Sequence, residues 1–519
     1  MQNWYFVDRR PRASADGFAL PNATPQQPNY NAAGQGRRLR MWRVPTSGPN
    51  WSVARDLPTI RARARAAYRN DPWAGTALDK LDSNGIATGI QAKGWPAAEP
   101  LYKRFMDECD ADGVLDGYGQ QYLAWHEWNE VGEVFGRLRA RRPSDPLAVP
   151  LQVQIIEAEL CPVDLYTVAA NGNQIKAGIE FDAIGRRVAY YFYREHPGDA
   201  YLSVNGNELT RVPADQVIHL YRPTRAGQIR GIPDHTSVLV RMFNLENMDD
   251  AVLERQKIAN MFAGFYTTPI DPENPPDSVL DGMTRDEDGT QETDVDDTPL
   301  AGLEPGTMQE LPVGMKAEFS NPPAPGTEYS EFLRGNLLAV AARHGVPFEV
   351  LTGDLRDISD RALKLLLNEF RRGLEMRQWL FFIPRWCQRI RTEFFDTAVL
   401  SGRLQLADYS QRRAEYVETL WVPQGWPYSH PVQDVVADVK AIRAGLDTRY
   451  AAILRTGEDP EKVDQQNAAD NARADELGLV LDSDARKTTP AGKPAGASAD
   501  PSSSPPDDPV EENADATAK

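Results

Sequence analysis

The feature that most constrains this chain is an unbroken amphipathic helical pattern that runs from about Thr236 to Phe265. At 1.5 Å per residue, a helix of that length spans about 45 Å. Asp234 or Thr236 can cap its start, and Pro269 follows its end. The predicted helix is longer than is typical of globular domains, and it separates the chain into two parts.

The part that follows contains two further helical patterns. The first runs from Thr327 to about His344, and the second from about Ser359 to Leu400 with Pro384 inside it. Because proline lacks an N–H group and clashes with the preceding turn, it predicts a kink. Five apolar residues at helical spacing predict a buried stripe on the second helix: Trp379, Phe382, Trp386, Ile390 and Phe394.

The part that precedes the long helix mixes helices with strands. A helix is expected from Ser52, capped by Ser52 or Asp56, and Asp71-Pro72 ends it and starts another. A third helix is expected at about Tyr118–Val131. Strands are expected at Val134–Arg139, Ile175–Phe181, Val188–Tyr193 and in the segments PLQVQIIEAEL and DQVIHLYRP.

Between the long helix and Thr327 lies an acidic stretch with no apolar periodicity. Residues 271–297 contain eleven acidic residues and one basic residue, Arg285, which predicts a loop or a disordered insert. A short hairpin is expected after it, with strands at Gly306–Leu311 and Met315–Phe319. Three helices are expected near the end of the chain, at Pro431–Ala444, Thr448–Thr456 and Pro460–Leu477.

The charge of the chain limits its partners. Of its 519 residues 41% are hydrophobic, which is enough for folded cores, and the net charge is −18. Proteins that grip nucleic acid usually present a basic face, because neutralising phosphates drives binding. The chain therefore either has no nucleic-acid partner or handles nucleic acid without gripping it. Four arginines form a basic cluster near the start, either as a solvated run or as a contact to a subunit or nucleic acid: Arg37, Arg38, Arg40 and Arg43.

The cysteines and the hydropathy pattern indicate the compartment. Cys109, Cys161 and Cys387 are odd in number and fit no zinc spacing, so buried thiols in a reducing compartment are expected. The first residues lack the apolar core of a signal peptide. Since no window approaches the length of a membrane span, we expect a soluble protein made in the cytosol.

The motifs of common enzymes are absent from the sequence. There is no phosphate-binding P-loop, no H-E-x-x-H, no C-x-x-C and no G-x-S-x-G, and the six histidines show no ligand spacing. His219, inside a strand, is expected to be a satisfied core histidine. Asp354, Asp357 and Asp360 could hold a metal ion, but the interleaved Arg356 argues for an ordinary loop. We predict no catalytic residues, no metal and no cofactor.

The order of these elements resembles that of the lambda-type phage portal proteins across about residues 35–400. The segments that carry the resemblance are AWHEWNEVGEVFGRLR, VPLQVQIIEAEL, GIEFDAIGRRVAYYFYREHPGD, VPADQVIHLYRPTRAGQIRGIPDHTSVLVR, RQKIANMFAGFYTTP and AARHGVPFEVLTGDL. Family members usually carry a Tyr- and Ser-rich stretch after the "LTGD" bend. Here the stretch reads RDISDRALK, so Ser359 and Arg361 match the family pattern and the tyrosine does not.

The resemblance implies an α+β portal-type subunit with a mixed α/β wing, two long stem helices, a small β-containing clip, a long kinked helix and a helical crown. The implied boundaries are 1–45 for an extended arm, 46–235 for the wing, 236–266 for the first stem helix, 267–326 for the clip with its acidic insert, 327–345 for the second stem helix, 346–426 for the tunnel loop and kinked helix, 427–482 for the crown and 483–519 for a disordered tail.

The resemblance also implies a site and partners. The tunnel loop that reaches DNA would contain Arg356, Asp357, Ser359, Asp360, Arg361 and Lys364. The clip surface that faces the terminase or adaptors would contain Glu304, Gln309, Glu310, Lys316 and Glu318. The implied partners are eleven further copies in a dodecameric ring, double-stranded DNA in transit, the terminase large subunit, the major capsid protein and head-completion proteins. The implied location is the portal vertex of a virion made in the bacterial cytoplasm, with no membrane.

The acidity of the chain agrees with this function, because a channel must pass DNA without holding it. Negative charge around a ring favours sliding by repulsion, while Arg356, Arg361 and Lys364 could guide the strand. Alternatively, these cations form salt bridges with Asp357 and Asp360. Two other functions stay open: a metal-dependent hydrolase that uses the acidic bend at 353–360, and a non-portal capsid or scaffold component.

Overall fold

The computed structural model describes residues 46–199, 208–261, 265–267, 316–318, 327–356, 358–428, 430–481, 484 and 486. The predictions for the arm at 1–45, for the insert at 271–297 and for all but the first residues of the tail lie outside these residues. The described part contains helices and antiparallel sheets, as the α+β prediction requires.

Two helices open the described chain, α1 at Pro49–Asn70 and α2 at Pro72–Gly85. The prediction for the start of α1 is wrong, because the helix begins three residues before Ser52 and neither Ser52 nor Asp56 caps it. Pro49 occupies the first turn, where its missing N–H costs nothing. The predicted break is confirmed: the Asp71 side chain accepts hydrogen bonds from the backbone N–H groups of Trp73 (2.8 Å) and Ala74 (3.1 Å).

The part of the chain before the long helix continues with two helices and nine strands. In chain order these are β1 Gln91–Lys93, α3 Glu99–Glu108, α4 Gly117–Val131, β2 Glu133–Ala140, β3 Leu151–Ile156, β4 Thr167–Val168, β5 Gln174–Lys176, β6 Ile179–Phe181, β7 Arg187–Tyr193, β8 Leu209–Pro213 and β9 Val217–Tyr221. β2 is the centre of a three-stranded antiparallel sheet with the order β3-β2-β9. β4 to β8 form a five-stranded meander in sequence order.

The predicted single strand Ile175–Phe181 is wrong, because the chain reverses in its middle. β5 and β6 pair antiparallel, with Lys176 opposite Ile179. The two residues between them, Ala177 and Gly178, have φ values of 51° and 78°. Two successive residues in the left-handed region are what a tight type I′ hairpin turn needs, and an alternating apolar pattern does not reveal such a turn.

The three-stranded sheet lies between two apolar cores. On one face, Phe135 packs with residues of the five-stranded sheet such as Tyr190 and Phe192. On the other face, the sheet packs on helices, and the Trp386 ring lies directly over Gly136. A Cβ atom at residue 136 would lie 2.9 Å from that ring, so only glycine permits this approach.

The long helix is shorter than the sequence predicts. α5 covers Leu239–Met261, 23 residues or about 35 Å, and Asp234–Ser237 forms a separate 3₁₀ turn before it. The prediction that the helix extends to Phe265 is wrong. Phe265 begins strand β10 at Phe265–Thr267, which pairs with β11 at Lys316–Glu318. The predicted partner strand at 306–311 lies outside the described residues.

The second part of the described chain is largely helical. Its elements are α6 Thr327–His344, α7 Phe348–Thr352, α8 Asp360–Arg377, a π-helical segment Gln378–Cys387, α9 Gln388–Leu400, α10 Tyr409–Val417, β12 Leu420–Val422, α11 Pro431–Arg443, α12 Arg449–Arg455 and α13 Pro460–Leu477. Pro384 lies inside the π segment. The predicted core stripe is confirmed for Phe382, Trp386, Ile390 and Phe394, but Trp379 is 48% exposed. β12 returns to the wing and pairs with β1.

Candidate functional site

The bend between α6 and α8 holds the residues expected to reach DNA. Gly345 (φ 74°) follows α6, and Gly353 (φ 70°) ends α7 by donating its N–H to the Glu349 carbonyl. Both glycines adopt the left-handed conformation that side chains rarely accept. The backbone conformation is therefore set at two positions of the bend, and the segment predicted to be the tunnel loop follows the second one.

Asp354 forms hydrogen bonds with the first residues of the predicted tunnel loop. Its carboxylate accepts hydrogen bonds from Nε and Nη2 of Arg356, both at 2.8 Å, and one from the Arg356 backbone N–H at 3.1 Å. These bonds lower the pKa of Asp354 to about 2. Arg334 of α6 lies 3.6 Å from the same carboxylate and stacks over the Phe348 ring. The Arg356 guanidinium group is thus held in a fork-shaped pair close to α6.

The first turn of α8 carries the next predicted residues. Ser359 caps the helix, with its Oγ accepting a hydrogen bond from the Ala362 N–H at 3.3 Å. Asp360 lies 2.9 Å from Nε2 of His430, which precedes α11. Lys364 lies 2.9 Å from the Asp434 carboxylate of α11. That ammonium, followed by the His430 backbone N–H, lowers the pKa of Asp434.

The structure therefore places Arg356 in the bend, Ser359 at the cap of α8, and Asp360, Arg361 and Lys364 near the start of that helix. Asp357 lies outside the described residues. The ion pairs differ from the alternative drawn from the sequence. Arg356 pairs with Asp354, and Lys364 pairs with Asp434 rather than with Asp360. Arg361 is exposed, and no described carboxylate forms an ion pair with it.

The clip predictions fall mostly outside the described residues. Glu304, Gln309 and Glu310 are among the residues that are not described. Lys316 and Glu318 lie at the two ends of β11, opposite Thr267 and Phe265. The backbone thus forms a two-stranded ribbon between the end of α5 and the start of α6, and the role of its side chains stays a prediction.

A histidine pair that the sequence did not reveal joins the 3₁₀ turn before α5 to the end of α6. His235 and His344 are buried and their rings stack, with centroids 5.2 Å apart and planes 9° apart. Burial, reinforced by neighbouring cationic groups, lowers the pKa of His235 to about 3 and also lowers that of His344. Nδ1 of His344 bonds the Val340 carbonyl, and its Nε2 is buried without a described partner.

A buried ionic cluster was also missed. The Glu133 carboxylate is fully buried and contacts the guanidinium groups of Arg61 and Arg230. It also accepts bonds from the Gly231 N–H (2.6 Å) and Nε2 of His219 (3.0 Å). Burial opposes the charge of Glu133, but the two guanidinium groups outweigh it and hold its pKa well below the usual range. The prediction of a satisfied core histidine at 219 is confirmed.

No geometry in the described part of the chain favours a metal centre. Asp354 is occupied by Arg356, and it forms no ligand group with Asp360. Glu157, Glu159 and His196 come close enough to share an ion. Arg65 already donates hydrogen bonds to Glu159 at 2.9 and 3.0 Å and lies 3.8 Å from Glu157. The guanidinium group of Arg65 therefore already supplies a positive charge to these two carboxylates.

Comparison with known proteins identifies the family of the chain. The profile of the family described as "Phage portal protein, lambda family" matches residues 35–378. The chain belongs to the lambda family of phage portal proteins. It is 24% identical to the probable portal protein of Halomonas phage phiHAP-1, with 82% of each protein covered. It is 19% identical to portal protein B of Escherichia phage lambda, over 86% of this chain and 90% of that one.

Solved structures of related particles are similar to this portal protein. The neck of a native gene transfer agent particle, computed with C12 symmetry, aligns with a TM-score of 0.45 at 12% identity, over 82% of this chain and 99% of that one. The HK97-family portal protein of Corynebacterium diphtheriae aligns with a TM-score of 0.28 at 12% identity, over 58% and 82%.

The protein is thus a portal protein of a tailed phage or a phage-like particle, and portal proteins are structural parts of the virion. The hydrolase and scaffold alternatives are not favoured, since the family profile covers the bend at 353–360 on which the hydrolase depended. Within the described ranges, no helix of the portal protein has the length and hydropathy that a bilayer crossing requires.

Proposed function

We propose that this portal protein assembles into a dodecameric ring at one vertex of the capsid, and that DNA enters and leaves through the channel of the ring. The two stem helices α5 and α6 line the channel, and α11 to α13 form the crown on the capsid side. The subunit has no catalytic role, because the motor that hydrolyses ATP is a separate protein that docks on the ring.

The observation that carries this proposal is the exposed apolar surface of the stem. On α5, Val240, Phe243 and Leu253 are 61%, 62% and 58% exposed. On α6, Phe332 and Leu338 are 48% and 46% exposed. Contiguous apolar side chains at the surface of a single subunit mark an interaction site. In a closed ring each subunit covers its neighbour with a different surface, so both stem helices would be buried on assembly.

The tunnel loop supplies the cations that meet DNA in this proposal. Arg361 is exposed at the start of α8, whereas Lys364 is held by Asp434 and Arg356 by Asp354. Weak and partly neutralised positive charge suits a channel, because strong phosphate binding would hold the strand in place. Arg361 is therefore the principal DNA-facing cation of the loop.

The outer end of the stem is the docking surface for other packaging proteins in this proposal. The ribbon of β10 and β11, with Lys316 and Glu318 at its ends, faces the terminase large subunit during packaging and the head-completion proteins afterwards. Glu304, Gln309 and Glu310 belong to the same clip. The wing contacts the major capsid protein, and the subunits are made in the bacterial cytoplasm before assembly.

The test of ring formation uses the stem side chains. We expect mass photometry and negative-stain images of the full chain to show ring-shaped particles with a central hole. Phe243→Glu and Leu338→Glu, each placing a charge in the proposed interface, should shift the population to monomers with an unchanged circular dichroism spectrum.

The matched control is Ile184→Glu, because Ile184 is 71% exposed at the turn between β6 and β7, away from the stem. This variant should assemble like the unmodified chain. A full chain that stays monomeric in all conditions, or stem variants that assemble normally, would contradict the proposed ring.

A further inference from the structure

Three arginines form a row on one edge of the wing. Arg137 and Arg139 lie on β2, and Arg141 directly follows the strand. Because successive side chains of a strand point to opposite faces, these alternate residues share one face. All three are half-buried. A half-buried row of positive charge is unexpected in a chain with a net charge of −18.

The charge of this row is not neutralised by a carboxylate within the described residues. Arg139 Nε donates to the Gln154 side-chain oxygen at 2.8 Å, and Arg141 Nε donates to the Gln152 side-chain oxygen at 2.7 Å. Both partners are neutral amides on the neighbouring strand β3. Arg137 forms no ion pair in the described part of the chain, and its pKa is lowered by burial and by Arg139. The two amides fix the guanidinium groups and leave their charge uncompensated.

The row lines a groove of about 470 Å³. Arg389 of α9 lines the groove as well, and its Nη2 donates to the backbone carbonyl of Asp215. Two carboxylates, Asp215 and Glu393, share the lining with the four arginines. The groove therefore has an excess of positive charge, and arginine forks are suited to bind carboxylates or phosphates in pairs of hydrogen bonds.

The same groove follows an open strand edge. β9 pairs with β2 only from Glu133 to Arg137, where Val217 is the last partner. Beyond Arg137 no described strand pairs with that side of β2, although β3 continues to pair with the other side as far as Ala140. An unpaired edge offers backbone N–H and C=O groups to an added strand.

We propose that this groove binds an extended acidic peptide, which adds as a strand along β2 and directs every second carboxylate to the arginine row. Alternate residues of a strand are about 6.7 Å apart, so carboxylates on alternate residues match the spacing of the arginines. The open edge supplies main-chain hydrogen bonds, and the arginines supply side-chain selection. A DNA duplex could use the charges but not the strand edge, so the geometry favours a polypeptide. The proposal is independent of the ring.

A suitable probe has carboxylates on alternate residues and β-branched residues between them. The sequence of this chain contains that pattern at Glu292, Asp294 and Asp296, with Thr293 and Val295 in between. A fluorescein-labelled synthetic peptide of residues 290–298 is therefore the probe. Its matched control carries Gln and Asn in place of every Glu and Asp.

The experiment measures fluorescence anisotropy of the probe with the full-length protein at low ionic strength. We expect saturable binding that the double variant Arg139→Gln/Arg141→Gln weakens by at least about tenfold, because two charge-assisted hydrogen bonds are lost. Arg104→Gln/Arg403→Gln, which removes two exposed arginines elsewhere, should bind the probe like the unmodified protein. A chain carrying Glu292→Gln, Asp294→Asn and Asp296→Asn is titrated in parallel. In this variant the chain's own acidic segment cannot compete with the probe for the groove.

Three outcomes would overturn the proposal. The probe could fail to bind both the unmodified chain and the chain with the neutralised segment. The amide control peptide could bind as tightly as the acidic one, which would exclude carboxylate recognition. A short DNA duplex could bind with the same dependence on Arg139 and Arg141 while the peptide does not, which would make the row a phosphate-binding surface.

Discussion

Lys364 of α8 lies 2.9 Å from Asp434 of α11, so an ion pair joins the start of α8 to the C-terminal helices. We predict that Lys364→Glu, which places a carboxylate next to Asp434, weakens the contact between α8 and α11 because like charges repel. The double variant Lys364→Glu/Asp434→Lys restores opposite charges and should restore this contact. Limited proteolysis of the region between α10 and α11 measures the effect.

The double variant Lys364→Glu/Asp434→Lys also shows whether Lys364 acts by holding α11 or by contacting DNA directly. If Lys364 acts by holding α11, the double variant should package DNA as well as the unmodified protein does. If packaging stays low although resistance to protease returns, Lys364 contacts the strand itself.

Arg361 is an exposed cation of the proposed tunnel loop, and no described carboxylate forms an ion pair with it, so we predict that Arg361→Glu lowers DNA packaging severalfold. The reversed charge would repel phosphates at the point where the loop reaches the channel. Nuclease-protected DNA per particle measures packaging, and mass photometry checks that rings still form. Arg403→Glu, an equal change at an exposed residue after α9, should leave packaging unchanged. Normal packaging by Arg361→Glu would show that the loop is misassigned.

Glu133 holds Arg61 and Arg230 in the interior of the wing. Glu133→Gln keeps the size of the side chain but leaves both guanidinium groups without a buried counter-charge. We expect a loss of about 3–5 kcal/mol in the free energy of unfolding. Urea denaturation followed by tryptophan fluorescence measures it, with Glu208→Gln as an exposed control. A loss below about 1 kcal/mol, the size expected of an ordinary surface substitution, would contradict this prediction.

The stacked pair His235–His344 predicts a dependence of stability on pH. Both pKa values are lowered in the folded state, that of His235 to about 3, so the folded protein keeps both rings neutral. The unfolded chain takes up protons below about pH 6.5, and stability is therefore lost as the pH falls. Arg343 and Arg377 oppose protonation, whereas Asp71 favours it at His344.

Between pH 7.5 and 5.5 each of these histidines should cost up to about 1.4 kcal/mol of unfolding free energy. The double variant His235→Asn/His344→Asn should show a correspondingly smaller loss over that range. The unmodified protein is the reference and should keep the full slope. Equal slopes in the two proteins would contradict the assignment.

The sequence predicted those elements whose signals are local. Asp71-Pro72 and the last three helices, α11 to α13, were predicted correctly because caps, prolines and apolar periodicity act within a few residues. Phe265 was assigned to a helix because its strand partner at Lys316–Glu318 is distant in the chain. Trp379 was assigned to the core because helical periodicity was continued through a segment that is not α-helical.

The sequence predicted which segment contains the candidate site, but not the residues with which its side chains form ion pairs. The bend and the helix start near Ser359 follow from the sequence, whereas the partners of Asp360 and Lys364 come from α11 and the residue before it, about seventy residues later. The cluster around Glu133 joins residues from three distant parts of the chain, and no pattern in the sequence predicts that these charges are buried together.

The π-helical segment Gln378–Cys387 determines how α9 is rotated about the helix axis relative to α8. The Gln388 N–H bonds to the Ile383 carbonyl, five residues back, so each turn here contains more residues than an α-turn. Deleting one residue would rotate α9 by about 100° relative to α8 and turn Phe394 and Phe395 away from the core. Substitutions at exposed positions of this segment, such as Leu380, which is 62% exposed, should thus be tolerated far better than changes in its length, so the segment acts as a spacer of fixed length.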